Sequence, residues 1–351
     1  AIPALQQTLD SGAFDDDLEA MGMIHSILGV AHRDSGRLDE AVDHLKQSFA
    51  FRQQAGDVRG QSATLTNLAA VYEHRGELDK ALEAEHEAVS LARQIGDRHA
   101  ESLALLNLGL THKAAGDLDQ ALEALRDSLR IEMDRQNHNN LPTRLNYIAD
   151  IYRIRGQLDD ALVYLEQAKS YIADSGSKHS KALNLQLIGM VKKSQGFYDE
   201  AMEAFLEAIP DYQEAGISMG VASAQVQLAE IYSGQGRYTD AHRALKKSID
   251  ICEELGLRHS LAEARIHLGD FYITVGKLEK AEKEIEEARS LVAELGEVEL
   301  IPFMRLTEGR LLRIRGRAKE GALALNSAAE ESSRKGQLEL SIRARIELGR
   351  V

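Results

Sequence analysis

The sequence predicts an all-α fold, a right-handed superhelical solenoid made of antiparallel helix pairs. Glycine recurs with a spacing of 40 residues, and the apolar residues between the glycines have the spacing of amphipathic helices. The chain has 351 residues and only four prolines, and no Ser/Gly/Pro-rich stretch divides it. Single compact cores stop growing at roughly 250 to 300 residues. A continuous helical array therefore explains the sequence better than one compact domain.

Two series of glycines mark the predicted helix ends, because glycine adopts the left-handed conformation of C-terminal caps without strain. The first series has a glycine in every period: Gly36, Gly76, Gly116, Gly156, Gly196, Gly236, Gly276 and Gly316. The second series is Gly56, Gly96, Gly176, Gly216, Gly256, Gly296 and Gly336, and it is interrupted once, at Gln136. Around that interruption residues 135–140 are polar, and we expect a loop with Asn137 in the left-handed position.

Two amphipathic helices alternate along each period, and we name them helix A and helix B. Helix A precedes the first glycine, and its apolar face is seen in Leu65, Leu68, Ala69 and Tyr72. Helix B follows that glycine and has an acidic residue in its first turn, such as Asp119, where the helix dipole favours negative charge. Small residues recur at one position of each helix, so neighbouring helices can approach closely. Each period is therefore predicted to fold as a helix hairpin.

The repeat register predicts the organisation of the chain. Residues 1–20 form a partial repeat with helix B only, residues 21–337 form eight repeats of 40 residues, and residues 338–351 form a partial repeat with helix A only. Sixteen helices and one partial helix at each end follow from this division. Terminal repeats of solenoids are normally modified to be polar, so we expect an excised part of a longer polypeptide; ends capped in another way are the alternative. Open apolar ends would allow self-association.

Three prolines bear on this register. Pro142 and Pro302 share one repeat position near the start of helix A, where a missing N–H group costs nothing. Pro210 lies inside a helix B and is expected to kink or end that helix near Leu206.

The sequence resembles the tetratricopeptide repeat. The residues that carry the resemblance are Asn-Leu-Gly at 107–109, Gly-Asp-Leu-Asp-Gln-Ala at 116–121, and Tyr72, Tyr152, Tyr232 and Tyr272. The first signature aromatic and the closing proline are absent, and the period is 40 rather than 34. The longer period and the Gly56-Asp57 type of junction resemble kinesin light chains, spindle-orientation adaptors, and the sensor arrays of maltose-regulator-type activators and signalling ATPases. This resemblance implies a binding role.

Composition argues against several classes of function. The net charge of −14 has the wrong sign for nucleic acid, and no apolar run approaches the roughly 20 residues that span a membrane. The single cysteine, Cys252, cannot form an intramolecular disulfide, and residues 1–10 lack the basic and apolar regions of a signal peptide, so a cytoplasmic location is expected. Phosphate-binding loops, HExxH and Cys-x-x-Cys pairs do not occur. We therefore expect no enzyme activity, no metal and no cofactor.

The candidate binding residues lie on the face of helix A opposite its apolar face. In tetratricopeptide proteins that face lines a concave groove, which implies a protein or peptide partner. The predicted residues are Arg33, Asn67, Asn107, Lys113, Tyr147, Asp150, Arg153, Lys193, Gln227, Glu230, His267 and Asp270. Asn67 and Asn107 can donate to and accept from a peptide backbone. Cations in the early repeats and acids such as Glu230 and Asp270 in the later ones predict a partner whose acidic part lies over the early repeats and whose basic part lies over repeats six and seven.

A second function remains open from the sequence alone. The array could sense a small molecule as part of a transcriptional activator or signalling ATPase, as the resemblance to maltose regulators implies. A small-molecule site needs a closed pocket with convergent polar groups, whereas a peptide needs only an open polar groove.

Overall fold

The computed structural model describes residues 2–12, 14, 16–295, 300–334 and 337–350. These residues form eighteen α-helices and one 3₁₀ helix, with no β-strand among them. The helices are α1 (Ile2–Asp10), α2 (Leu18–Asp34), α3 (Leu38–Gln54), α4 (Val58–His74), α5 (Leu78–Gln94), α6 (Arg98–Ala115), α7 (Leu118–Asp134), the 3₁₀ helix (His138–Asn140), α8 (Leu141–Ile154), α9 (Leu158–Ser175), α10 (Lys178–Ser194), α11 (Tyr198–Glu214), α12 (Ser218–Gly234), α13 (Tyr238–Glu254), α14 (Arg258–Thr274), α15 (Leu278–Leu295), α16 (Ile301–Ile314), α17 (Ala318–Arg334) and α18 (Leu338–Leu348). The predicted all-α repeat solenoid is confirmed, and the domain boundaries at residues 20 and 337 stay a prediction.

The helices group into two compact units, which we describe separately. Unit 1 is Ala1–Asn137 and holds α1 to α7, and unit 2 is His138–Val351 and holds the 3₁₀ helix and α8 to α18. Even-numbered helices are the A helices, and odd-numbered helices are the B helices. No helix in the described ranges combines the length and the apolar character needed to cross a membrane.

The A helices form the inner side of each unit. Within each unit, each helix A packs along the helix B that follows it, and each helix B packs on the next helix A of the same unit. Successive A helices also contact each other, as α4 with α6 and α12 with α14, whereas successive B helices contact each other less. Because the A helices are closer together, each unit curves with its A helices on the concave side.

Glycine ends the helices as predicted. The described glycines of both junction series have φ between +63° and +86°; Gly296 and Gly336 lie outside the described residues. At the interrupted junction the prediction of Asn137 was wrong, because Gln136 takes the left-handed conformation with φ of +54°. The N–H group of Asn137 instead donates to the carbonyl of Glu132, just as Asp57 donates to Arg52 in a glycine junction. The repeat register, rather than the residue type, sets the position of the reversal.

Close packing explains the small residues of helix A. A Cβ atom on Gly109 would lie 2.7 Å from Cγ of Leu125, and one on Gly189 would lie 2.8 Å from the ring of Phe205. Both glycines therefore admit a large buried side chain from the following helix B. At the equivalent position of α5 the residue is Glu85, which is also buried.

The prolines behave differently from one another. Pro142 and Pro302 lie in the first turns of α8 and α16, which confirms the predicted helix starts. Helix α11 runs without interruption from Tyr198 to Glu214 with Pro210 inside it, so the prediction that the helix could end near Leu206 was wrong. Pro210 has no N–H group to donate to the carbonyl of Leu206, which lies on the exposed side of α11. Ile209 and Tyr212, buried beside the proline, hold this part of α11 against its neighbours.

Candidate functional site

The concave surface of unit 1 carries two side-chain amides at equivalent positions of adjacent repeats. Asn67 lies on α4 and Asn107 lies 40 residues later on α6, and both are partly exposed. Neither carboxamide has a hydrogen-bond partner among the described residues. Each amide offers two donors and a carbonyl acceptor. The pair can therefore bind a peptide group at two points along the concave side.

Exposed apolar side chains surround these amides. Met23 and Ile27 on α2 are 58% and 46% exposed, and Leu103 on α6 is 41% exposed. Ile27 occupies the position equivalent to Asn67 and Asn107, and Met23 and Leu103 precede that position by one helical turn. We call these five residues the unit 1 inner surface. Apolar side chains flanking amides on a concave face are typical of a surface that binds a polypeptide segment.

Sequence reasoning found the amides of this surface but missed its apolar part. Only polar residues of helix A were predicted to lie on the concave side, and its apolar residues were predicted to lie in the core. A detectable signal was present, since Met23 and Leu103 fall outside the i, i+3, i+4, i+7 set that defines the buried face.

The two predicted cations of unit 1 lie near the ends of A helices. Arg33 Nη2 lies 2.8 Å from Oδ1 of its neighbour Asp34 on α2, which reduces the charge that it presents. Lys113 is partly exposed near the end of α6. Thr111 donates a hydrogen bond from the same helix to the Glu73 carboxylate, which joins α6 to α4. The cations therefore flank the unit 1 inner surface and do not form its centre.

The concave side of unit 2 is occupied by ion pairs within the chain. Nζ of Lys193 on α10 lies 2.6 Å from both Gln227 Oε1 and Glu230 Oε2 on α12. Nδ1 of His267 on α14 lies 3.3 Å from the other oxygen of Glu230. Four of the predicted residues thus meet at one place, although they come from three helices.

These contacts continue toward the end of unit 2. Arg310 on α16 pairs with Asp270 on α14, and Arg310 and Arg313 pair with Glu347 on α18. Arg343 on α18 lies 3.7 Å from Glu230 and 3.7 Å from Asp270. We call this set the charge ladder, which consists of Lys193, Glu230, His267, Asp270, Arg310, Arg313, Arg343 and Glu347. It links every A helix from α10 to α18.

The charge ladder fixes the ionisation of its central carboxylate. Burial alone would raise the pKa of Glu230, but Lys193, His267 and Arg343 hold that pKa well below its usual range. Glu230 is therefore negatively charged at neutral pH. A basic part of a partner, which was predicted to lie over Glu230 and Asp270, would have to compete with cations of the chain itself.

The remaining predicted residues lie together on α8. Arg153 Nη2 donates to Oδ1 of Asp150 at 2.7 Å, and the carboxylate of Asp150 is largely buried. Tyr147 lies one turn earlier on the same helix and is partly buried. On α8 the concave side therefore carries the ion pair of Arg153 with Asp150, one helical turn from Tyr147.

A cavity of about 370 Å³ opens beside the charge ladder in unit 2. Its lining includes Lys193, Tyr198, Ser233, Phe271 and Arg343. Charged groups and aromatic rings thus converge on one space.

No metal-binding arrangement of three or more His, Cys, Asp or Glu side chains occurs within the described ranges. The thiol of Cys252 is buried in α13, and burial raises its pKa to about 11. At neutral pH this thiol is protonated and a poor nucleophile.

The fold and its concave surfaces define a helical-repeat protein of the helix-hairpin type. The sequence model of the MalT-like TPR region matches residues 13–183, and a tetratricopeptide-repeat model matches residues 220–294. These two ranges together cover more than half of the chain, which belongs to the tetratricopeptide-repeat family. The family predicted from the sequence is confirmed. No curated protein matches the sequence.

Several solved structures share the fold. A Rap protein complexed with competence and sporulation factor is 14% identical with a TM-score of 0.63, covering 92% of this chain and 99% of that one. The Rap conjugation gene regulator of the plasmid pLS20, in complex with the Phr* peptide, is 14% identical with a TM-score of 0.62 and coverages of 80% and 76%. Aspartyl phosphate phosphatase F from Bacillus subtilis is 16% identical with a TM-score of 0.58 and coverages of 82% and 75%. At these identities the likeness shows the fold alone.

Proposed function

We propose that the chain is a non-catalytic interaction scaffold whose unit 1 inner surface binds a segment of another protein. The observation that carries this proposal is the pair of amides, Asn67 and Asn107, without hydrogen-bond partners in the described chain and next to exposed apolar side chains. A bound segment would cover Met23, Ile27 and Leu103 and hydrogen-bond to both amides. An extended segment suits the amides best, because its backbone groups are unpaired.

The expected energies favour apolar contact as the main source of affinity. Covering the exposed part of each of the three apolar side chains contributes about 1 kcal/mol. Each amide hydrogen bond adds roughly 0.5 to 1.5 kcal/mol net. Charge pairs with Arg33 and Lys113 at the edge would contribute about 0 to 1 kcal/mol each and mainly govern association rate and specificity.

Two similar folds support the kind of partner that we propose. One of the two Rap structures is a complex with competence and sporulation factor, and the other is a complex with the Phr* peptide. The third neighbour is a phosphatase by name, but its likeness extends only to the fold. In the present chain the single thiol is buried and protonated, and the polar residues on the concave side of unit 2 are engaged in ion pairs, which supports a role in binding rather than catalysis.

The test is binding of a peptide selected from a displayed random library against the wild-type chain. Calorimetry would compare the wild type with Asn67→Ala/Asn107→Ala and with the control Gln53→Ala/Gln94→Ala, which removes two exposed amides from B helices of the same unit. We expect the asparagine variant to bind about 10-fold more weakly or worse. Unchanged binding by the asparagine variant, or an equal loss in the control, would contradict the proposal.

A second function is favoured by the cavity in unit 2. Its volume of about 370 Å³ is in the range of small-molecule sites, and charged groups converge on it. Here the array would sense a small molecule for a larger regulatory protein. A compound that raises the midpoint of thermal unfolding for the wild type, but not for Glu230→Gln, would support this function over the first.

Other parts of the functional prediction remain proposals. We place the chain in the sensor or adaptor region of a larger signalling protein in the cytoplasm, with no nucleic-acid or membrane partner. Self-association through repeat ends is supported by Ile342 and Ile346, which are half-exposed on α18. Light scattering over a range of concentrations would test it, and strictly monomeric behaviour would count against it.

A further inference from the structure

Helix α18 brings a cation onto the concave side of unit 2. The helix packs on α17 and α16, in continuation of the repeats. Its first residue, Leu338, lies 3.4 Å from the point that a Cβ atom on Gly156 would occupy, in the turn between α8 and α9. Arg343, in the middle of the helix, reaches Glu230 on α12 and Asp270 on α14. Helix α18 therefore faces helices that are distant from it in the repeat order.

Arg343 is the most weakly held cation at these two carboxylates. Its guanidinium lies 3.7 Å from each, which is beyond hydrogen-bonding distance, and its side chain is 35% exposed. By contrast, Lys193 lies 2.6 Å from Glu230, and Arg310 is hydrogen-bonded to Asp270. Each carboxylate would thus keep a cation if Arg343 left. Arg343 can therefore leave without exposing a buried unpaired charge.

The geometry of this place suits a guanidinium better than an ammonium. Two carboxylates on different helices face one planar group, and the ring of Phe303 lies 5.9 Å from its central carbon. Guanidinium presents several donors in one plane and stacks on aromatic rings, whereas an ammonium is a compact point charge. The occupant in this structure is also an arginine.

We propose that Glu230 and Asp270 form a subsite for the arginine side chain of a partner. In this structure Arg343 occupies that subsite. Arg343 then acts as a latch that holds α18 over the cavity beside the charge ladder. An arginine from a partner segment competes with Arg343 for the two carboxylates and releases the latch. This inference concerns unit 2 alone, so it does not depend on peptide binding by the unit 1 inner surface.

A thiol introduced into the cavity would report the latch. Ser233 lines the cavity, and Ser233→Cys adds a reactive group there. The native Cys252 is buried with a pKa raised to about 11, so it reacts slowly and leaves the new thiol as the main signal. The rate of modification by a bulky maleimide would be compared in Ser233→Cys alone and combined with Arg343→Gln. The matched control is Arg345→Gln, an exposed arginine on the same helix.

We expect Arg343→Gln to raise the labelling rate about fivefold, the size expected for loss of a partly exposed ion pair. Arg345→Gln should leave the rate unchanged. An unchanged rate in Arg343→Gln would overturn the latch. Faster labelling of Cys252 in Arg343→Gln would show that this variant unfolds. Arg343→Lys would then replace it; because lysine keeps the positive charge, we expect a smaller rise in the labelling rate of Ser233→Cys.

A second measurement tests the chemistry of the subsite. Millimolar N-acetyl-arginine amide should slow the labelling of Ser233→Cys/Arg343→Gln, and the citrulline analogue should not, because it has the same shape without the charge. Equal effects of the two compounds, or no effect of either, would overturn the arginine subsite. Peptide binding to the asparagine variants of unit 1 is independent of both results.

Discussion

The hydroxyl of Thr66 on α4 donates a hydrogen bond of 3.4 Å to the buried carboxyl of Glu85 on α5. Glu85 is 2% exposed and stands where other B helices have Leu45, Leu125 or Leu165. Burial, together with the nearby Glu73, raises the pKa of Glu85 to about 8, and the Thr66 hydrogen bond lowers it less. The core of unit 1 therefore contains a carboxyl group that is mostly protonated at neutral pH.

Replacing this carboxyl should stabilise unit 1. The folded chain keeps the Glu85 proton up to about pH 8, whereas the unfolded chain loses it near the ordinary value of 4.5, so the wild type loses stability as pH rises between these values. Glu85→Leu should therefore raise the free energy of unfolding by about 4 kcal/mol at pH 8 and by much less at pH 5. Denaturant unfolding followed by circular dichroism would measure this. A gain that does not change with pH, or one matched by Glu87→Gln on the exposed side of α5, would contradict it.

A histidine cluster should make unit 1 sensitive to acid. Nδ1 of His25 lies 2.9 Å from Nδ1 of His44, and the ring of His32 stacks on His44 with centroids 5.1 Å apart. Burial lowers the pKa of each of the three, and a second histidine nearby lowers the pKa of His25 and His44 further. Because the folded chain keeps these rings neutral, stability is complete above about pH 6.5 and is lost as the pH falls below it.

Removing the central ring should reduce this acid sensitivity. His44→Ala introduces the residue found at the equivalent position in Ala84, Ala124 and Ala204. Between pH 6.5 and 5 the thermal midpoint of the variant should fall less than that of the wild type, as followed by differential scanning calorimetry. The control is Gln47→Ala on the exposed side of α3. Equal pH dependence in His44→Ala and the wild type would show that the cluster does not control it.

Placing glycine at the one helix junction that lacks it should stabilise the chain. Gln136 has φ of +54°, a conformation that costs a residue with a Cβ atom roughly 1 kcal/mol relative to glycine. Gln136→Gly should therefore raise the free energy of unfolding by about 1 kcal/mol. Gly96→Gln should lower it by a similar amount, since a Cβ atom on Gly96 meets no atom within 4 Å and only the backbone strain changes. Equilibrium denaturation measures both, and changes of the same sign would refute the argument.

The sequence predicted the helix pairs well because two local signals coincide. Junction glycines such as Gly116 mark where each helix ends, and the apolar period shows which face is buried. Where one signal was replaced, prediction was less accurate. At the interrupted junction the prediction favoured Asn137 for its residue type, but the hydrogen bond from its N–H group to Glu132 assigns the reversal to Gln136. The tendency of Pro210 to end a helix was overestimated, because the packing of α11 keeps the helix intact around the proline.

The candidate site was only partly predictable, because much of it depends on contacts between repeats. Lys193 and Glu230 are 37 residues apart, and Arg343 and Glu230 are far more distant in sequence. Residue types alone predicted the acids and some of the cations on the concave side, such as Lys193, but not the ion pairs that join them. Glu85 was missed because a carboxyl at a core position breaks the apolar pattern from which the core was inferred.

A photo-crosslink would show whether the unit 1 inner surface contacts the partner segment. Benzoylphenylalanine would replace Leu103 on the concave side of α6 or, as a control, exposed Ser90 on the B helix α5. After irradiation with the selected peptide, mass spectrometry would locate the covalent product. We expect a crosslink from position 103 that an excess of free peptide without the photoreactive chain suppresses, and none from position 90. A crosslink from position 90 without one from position 103 would contradict it, because the partner would then bind the side of the B helices.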